Sequence, residues 1–151
     1  MSKDSENSHK TAIGRKKPSA PARWLAIRGY AQGRILDYGC GRGFDADWYH
    51  WDKYDPYYFP KVPHDNGYNV YDTIMCAYVL NTLTKPWETL VLTYIKWLLA
   101  PGGKAYITIR RNVKKVGYTS KGTYQRNVKL RLPIIHETSD YCIYVLSADS
   151  F

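Results

Sequence analysis

The residues best equipped for chemistry stand together in Ile35-Leu36-Asp37-Tyr38-Gly39-Cys40-Gly41-Arg42-Gly43-Phe44-Asp45. An apolar run feeds a loop with glycine at three alternate positions, and a helical pattern follows. Glycine lets the backbone turn tightly and lets a ligand touch the main chain. Asp55 comes ten residues after Asp45, at the end of the next short strand pattern. A carboxylate there can accept hydrogen bonds from both hydroxyls of a ribose. A dinucleotide fits less well. Its fingerprint is G-x-G-x-x-G, and Phe44 stands where the last glycine belongs. Asp37 and Asp45 would also set negative charge beside the phosphates. Those acids suit a cationic ligand that carries no phosphate.

The elements that must position this loop follow from hydrophobic period and breakers. Trp24 to Tyr30 reads as a short helix ended by Gly29 or Gly33. Arg34 to Tyr38 reads as a strand, Phe44 to Trp51 as a helix and Asp52 to Asp55 as a second strand. Residues 56–70 hold three prolines and Gly67, which predicts a loop. Tyr71 to Ala77 is a buried-type strand. Trp87, Leu90, Val91, Tyr94, Ile95 and Leu98 keep a helical period that Pro101-Gly102-Gly103 ends. Lys104 to Arg110 alternates as a strand, and Val128 to Ile135 with Tyr141 to Ser147 form an antiparallel hairpin. Strand, helix, strand, repeated, predicts an α/β fold: a compact, truncated, Rossmann-like, mostly parallel sheet with the carboxyl-terminal hairpin at one edge. Loops at the carboxyl ends of such strands are where these sheets bind ligands.

The chain has 151 residues, 44% hydrophobic and 23% charged, which excludes wholesale disorder, collagen and coiled coil. Residues 1–23 read as a basic arm, partly ordered over the site, and 24–151 as one domain. No signal peptide or membrane span is expected. Cys40, Cys76 and Cys142 are widely spaced, without CxxC, so a reduced cytoplasmic protein without structural metal is expected.

S-adenosylmethionine carries a sulfonium and an ammonium group and no phosphate, as the acids of the loop require. The run from Asp37 to Asp45 resembles motif I of the class I S-adenosylmethionine-dependent methyltransferases. Residues 71–83 resemble their fourth-strand motif, and Leu98-Leu99-Ala100-Pro101-Gly102-Gly103-Lys104 resembles the turn before their fifth strand. His9 to Arg15 with Ser19 and Pro21, Leu36 to Asp45, Tyr54 to Tyr58 and Gly122-Thr123-Tyr124-Gln125 are similar to the DNA phosphorothioation-associated methyltransferases. This chain is shorter than that family usually is, as a phage or mobile-element form would be. Its third strand and helix are expected to be missing. The resemblance implies that the donor lies against Asp37, Gly39, Cys40, Gly41, Gly43, Asp45, Asp55, Pro56, Ala77 and Tyr78, with Asp65 toward the adenine. It also implies that the segment from His9 to Arg15 folds over the donor. Replacing Asp55 is expected to weaken donor binding while barely moving the melting temperature.

Methyl transfer needs positioning and, for some acceptors, a base. The acceptor position of the superfamily follows the fourth strand, here Ala77 to Asn81. No proline pair and no Pro-Cys stands there, so neither common DNA-base chemistry is indicated. Tyr78 could face a sulfonium with its ring or pack the next helix. Asn81 could bind substrate, but capping the next turn is favoured. Trp48, Trp51, Tyr57, Tyr58 and Phe59 could wall the adenine, although a core role is favoured. The net charge is +9, and nine basic residues fall within 104–131, with no acid from 104 to 135. Arg110, Arg111, Lys114, Lys115 and Lys121, interleaved with Tyr118 and Tyr124, therefore point to DNA or RNA as partner. A non-catalytic module that binds the donor or nucleic acid, or an adaptor, is the alternative reading.

Overall fold

The computed structural model describes residues 15–63 and 68–150. The expectations for residues 9–14 and for Asp65 lie outside these residues. Helix α1, Ala20–Ile27, is followed by β1, Ile35–Tyr38, then α2, Phe44–Tyr49, and β2, Asp52–Tyr54. Next come β3, Tyr71–Ala77, a 3₁₀ turn at Leu80–Thr82, α3, Lys85–Leu98, and β4, Leu99–Arg110. Two short strands, β5 (Gly117–Tyr118) and β6 (Tyr124–Gln125), precede β7, Ile134–Glu137, and β8, Tyr141–Ser147. The main sheet runs β2-β1-β3-β4-β8-β7, and β5-β6 is a separate two-stranded sheet. β2, β1, β3 and β4 are mutually parallel, while β8 and β7 are antiparallel. This is the α/β, mostly parallel sheet expected, with an antiparallel hairpin at the edge, although the first strand of that hairpin is Ile134–Glu137 and not Val128 to Ile135.

Period-two alternation sorts the side chains onto two faces. Leu36, Ile74, Cys76, Ala105, Ile107, Ile109, Cys142, Tyr144 and Leu146 form one core, under Ile95 and Leu98 of α3. Met75, Tyr106, Tyr141 and Ile143 form the other, under Ala22 and Leu25 of α1. Asp37, between Leu36 and Tyr38, is therefore turned to the α1 face.

α1 starts four residues earlier than the apolar pattern suggests, so the arm does not run through residue 23. The Ser19 hydroxyl caps the helix by accepting from the Ala22 N–H, and Pro21 sits in the first turn, where its missing N–H costs nothing. Gly29, at φ +76°, ends it: the Tyr30 N–H donates to the Leu25 carbonyl and the Gly29 N–H to that of Ala26, a Schellman closure. Pro101-Gly102-Gly103 does stop α3, but β4 begins at once, at Leu99. Tyr71 pairs Leu99 and Thr73 pairs Lys104, so residues 100–103 bulge from the ladder. Among the described residues no element lies between β2 and β3, so β2 is an edge strand.

The segment after β4 is tied to α3 by buried polar groups that the sequence spacing did not suggest. Arg126 donates to the Leu83 carbonyl and, at 2.8 Å, to the Glu88 carboxylate, with 14% and 6% of the two side chains exposed. Asn81 accepts from the Arg110 N–H at 2.7 Å and donates to the carbonyls of Arg110 and Arg126. The basic stretch is thus not without neutralising acids: Glu88 meets Arg126, and Glu137 meets Arg111 at 3.5 Å. Removing one partner of a buried pair leaves the other charge unmatched. Glu88→Ala is expected to destabilise the fold by about 3 kcal/mol in urea titration, the lower end for such pairs because Arg126 keeps some water. A loss below about 1 kcal/mol would show the pair to behave as a surface one.

Candidate functional site

Strand order reverses between β1 and β3, and a cleft of about 940 Å³ opens beyond their carboxyl ends. The loop after β1 forms one wall and residues 77–79 after β3 form the floor. These two loops interlock. Gly39 has φ +79°, and a side chain there would come within 2.3 Å of Val79 Cγ2. The Gly39 and Cys40 N–H groups both donate to the Tyr54 carbonyl, which holds the loop to β2.

Three carboxylates converge on this wall, and each is handled differently. Asp55 Oδ1 accepts from the Gly41 N–H at 3.1 Å, and Oδ2 accepts from the Tyr57 and Tyr58 N–H groups at 3.0 Å each. Asp45 accepts from the Ser19 N–H at 2.7 Å and the Ser19 hydroxyl at 2.6 Å, tying α2 to the start of α1. Asp37 is 3% exposed and accepts no hydrogen bond among the described residues. Burial, then the charges of Asp45 and Asp55, push its carboxyl well above the usual range, while Arg15 pulls it down.

Asp37, Gly39, Cys40, Gly41, Asp45, Asp55, Pro56, Ala77, Tyr78 and Asn81 all line the cleft, as do Arg110 and Lys121. Gly43 does not: it is buried behind the loop at φ +84°, facing Lys53 and Phe59. Arg111, Lys114 and Lys115 lie away from the cleft, and Arg111 is held by Glu137 and the Thr138 carbonyl. Asn81 does not cap the following turn. Its amide is engaged by Arg110 and Arg126, which stitches the end of β4 to the strand beyond β6.

Tyr78 has a left-handed backbone, φ +63°, which is strained for a bulky residue. Its ring meets Tyr141 edge-on at 6.4 Å, and the Arg110 guanidinium lies 5.9 Å from its centroid. Burial, then Tyr141, raise its hydroxyl above the ordinary phenol value, so it stays protonated at neutral pH. Burial likewise pushes the thiols of Cys40 and Cys76 up, so neither is a thiolate.

The aromatic wall is not assembled. Trp51 stacks on Tyr49 in the α1-side core, whereas Trp48 and Tyr57 are exposed. Sequence reasoning missed Trp87, Val91 and the hairpin residues Thr119, Ser120 and Thr123, all of which line the cleft. The Ser-x-Pro cap at Ser19 was a readable signal for the helix start that brings Arg15 to the cleft. Among the described residues no helix is long and apolar enough to cross a membrane, and no cluster of His, Cys, Asp and Glu suits a metal.

No protein-family model matches the chain, and no curated protein matches it. Solved structures do. The Burkholderia thailandensis 1,6-didemethyltoxoflavin-N1-methyltransferase, solved with 1,6-didemethyltoxoflavin and S-adenosylhomocysteine, superposes with TM-score 0.61 at 14% identity. The match covers 85% of this chain and 76% of that one. A Sulfolobus solfataricus protein described as a type 11 methyltransferase superposes with TM-score 0.56 at 17% identity, covering 85% and 92%. The chain therefore has the Rossmann-like fold of these methyltransferases.

Two substitutions should pull apart. The folded state keeps a proton on Asp37 that the unfolded chain gives up above about pH 4. Stability is therefore lost as pH rises from there through the raised folded value. Asp37→Asn is expected to raise the melting temperature of the ligand-free protein, more at pH 8 than at pH 4. Asp55→Ala removes three charge-assisted hydrogen bonds and is expected to lower it by roughly 5–10 °C, from about 2–3 kcal/mol and 2–4 °C per kcal/mol at this size. This corrects the expectation that the fold would barely notice its loss. Calorimetric melts across pH read both, and a lower melting temperature for Asp37→Asn at pH 8 would refute the first.

Proposed function

We propose that this protein is an S-adenosylmethionine-dependent methyltransferase acting on a nucleic-acid-related substrate. One observation carries the donor reading: Asp37, a buried carboxylate without a hydrogen-bond partner among the described residues, lines a cleft at the switch point of the sheet. A cationic group placed there relieves the repulsion from Asp45 and Asp55. The residues fit the donor in other respects. Gly39 and Gly41 bring bare backbone to the cleft, Asp55 stands beside them, and the volume of about 940 Å³ is at the upper end for small-molecule pockets. Asp37, Gly39, Cys40, Gly41, Asp55, Pro56 and Ala77 would hold it, and Asp45 would act as a strut through Ser19. Resemblance alone puts Asp65 and Gly43 in that group, and Gly43 would act by shaping the loop. When bound, S-adenosylmethionine supplies a methyl group already activated by its sulfonium.

The chain's own part is then orientation and charge. Tyr78 lines the cleft with an aromatic ring, a group suited to a cation or a planar acceptor. Its protonated hydroxyl can donate a hydrogen bond but cannot serve as a base at neutral pH. Among the described lining residues there is no histidine. The site thus suits an acceptor atom with its own lone pair, held in line, with the proton leaving to water.

Support for a nucleic-acid substrate comes from charge. Arg110 and Lys121 line the same cleft as the carboxylates. Lys114, Lys115 and Tyr118 are exposed on the adjoining segment, whose Val113 is pinned to Asn127 at 2.9 Å. The resemblance of residues 36–45, 54–58 and 122–125 favours the DNA phosphorothioation-associated type within this reading. A non-catalytic donor-binding module is the second reading, favoured by Asn81, whose amide is occupied by the backbone rather than left for an acceptor.

Titration calorimetry with S-adenosylhomocysteine should give one site, and its absence in folded protein would remove the donor reading. A mass increase of oligonucleotide incubated with donor separates catalysis from mere binding. Oligonucleotide affinity should fall with salt at a log–log slope near −0.9 per duplex phosphate neutralised. Replacing Lys114 and Lys115 together by Ala should make that slope shallower by about one to two units, alike for unrelated sequences. An unchanged slope would make that segment a solvated face.

A further inference from the structure

The β5–β6 hairpin has two faces, and they differ in chemistry. Tyr118 stands directly opposite Tyr124, and Gly117 opposite Gln125. The Thr119 N–H donates to the Thr123 carbonyl at 2.7 Å and the Gly122 N–H to the Thr119 carbonyl at 3.0 Å, which closes the turn. Alternation therefore sends Thr119, Thr123 and Gln125 to one side and Tyr118 and Tyr124 to the other. The first three line the cleft, together with Ser120 and Lys121 at the tip, while neither tyrosine does. The two rings meet each other at 5.3 Å on the far face. Tyr118 is 57% exposed there, and Val116, just before it, is 63% exposed.

Burial does not explain a ring placed in this way. A ring that only filled a core would be covered, and this one keeps more than half of its surface in water. Its surroundings in the chain are cationic. Lys114 and Lys115, within the four residues before it, are exposed and meet no carboxylate among the described residues. Residues 104–135 contain no acid at all. A second copy of this chain, at +9, brings the same charge and is repelled. The face suits an anionic partner that also carries flat apolar rings.

We infer that Tyr118 is a stacking platform for an unpaired base, so that the polynucleotide this protein takes is single-stranded. The inference rests on the nucleic-acid reading and narrows it from any polynucleotide to the single strand. In a duplex each base already lies between its neighbours and offers no face to a ring. An unpaired base does, and every base has such a face, so stacking is indifferent to sequence. Lys114 and Lys115 neutralise phosphates of the same strand. A strand lying over the hairpin sets one base on the outer tyrosine, while a nucleotide farther along passes Lys121 at the tip and reaches the hydroxyl-lined side and the cleft.

The test is fluorescence anisotropy on the full chain, with short end-labelled single strands, as DNA and as RNA, and the duplex of the same sequence. At low salt the single strand should bind more tightly than the duplex. Tyr118→Ala should weaken single-strand binding by about five- to a hundredfold, as loss of one base–aromatic stack does, and leave duplex binding alone. Tyr118→Leu keeps the bulk and the apolar surface without an aromatic face, so it should lose as much, whereas Tyr118→Phe should bind as wild type does. None of the three removes a charge, so the salt slope should not change. Whichever single strand, DNA or RNA, binds more tightly names the source of the bases, and either supports the inference. Equal or tighter binding of the duplex by wild type overturns it. So does wild-type single-strand affinity in Tyr118→Ala or Tyr118→Leu. An equal loss for single strand and duplex also overturns it, since the ring would then only shape the hairpin. If the folded wild type binds no polynucleotide at low salt, the nucleic-acid reading itself falls, and the assignment of Tyr118 falls with it.

Discussion

Three carboxylates are crowded at the carboxyl end of β1, and the rest of the site follows from how the fold tolerates them. Asp55 is quieted by three backbone N–H groups and Asp45 by both donors of Ser19. Among the described residues Asp37 has neither kind of partner, and it is almost wholly buried. It cannot be moved cheaply. It sits mid-strand between Leu36 and Tyr38, both core residues of the α3 face, and a register slip that freed it would turn them out of that core. The molecule therefore holds a proton on Asp37 or accepts a cation beside it. A fold optimised for stability alone would place an apolar residue at that point. That this one keeps an acid there, aimed into a cleft, makes the cost a mark of function.

The small size of the domain is absorbed elsewhere. With no element between β2 and β3 in the described residues, the α3 face of the sheet has one long helix over it. The cleft is closed on that side by the β5–β6 hairpin, whose strands pair only with each other. Two short strands are marginal in water. They hold their place through the buried polar knot of Asn81, Arg126 and Glu88, which fixes the chain leaving β6 to the end of β4 and to α3. The Thr119 and Thr123 hydroxyls then share a hydrogen bond across the turn. The hairpin is thus a wall of the cleft built by side-chain chemistry.

This division explains which parts could be read from residues alone. Strand period, helix period and glycine spacing are local, and they placed β1, β3, α3 and β8 within a residue or two and the glycine loop at the cleft. The polar knot is not local. Glu88 and Arg126 are 38 positions apart, and a charge count along the chain sees an unneutralised run where the fold has a buried pair. The resemblance of residues 9–15 puts Arg15 over the site, and Arg15 does line the cleft, where the local signal for its placement is Ser19 as a helix cap. Lys114 and Lys115 belong to the same run in sequence as Arg110 and Lys121, yet only the latter two reach the cleft, because the chain turns away after Asn112 at φ +59°.

Tyr78 shows how a local rule is broken to make the site. Alternation along β3 sends Ile74 and Cys76 to the α3 core and Met75 and Ala77 to the α1 side. Continued one step, it would bury Tyr78 beside Leu80 on the α3 side. The left-handed backbone at φ +63° reverses that step, and the ring packs with Tyr141 in the α1-side cluster instead. For a residue with a side chain this conformation costs about 1–2 kcal/mol. The Tyr78 N–H, donated to the Thr108 carbonyl at 2.9 Å, helps hold it there. The interlock of Gly39 with Val79 then fixes the next residue against the glycine loop. Asp37, Arg15 and Tyr78 therefore share one face of the sheet for separate reasons: strand register, a helix cap and a strained residue. Relaxing the backbone at Tyr78 would remove the ring from the side on which the charges are gathered.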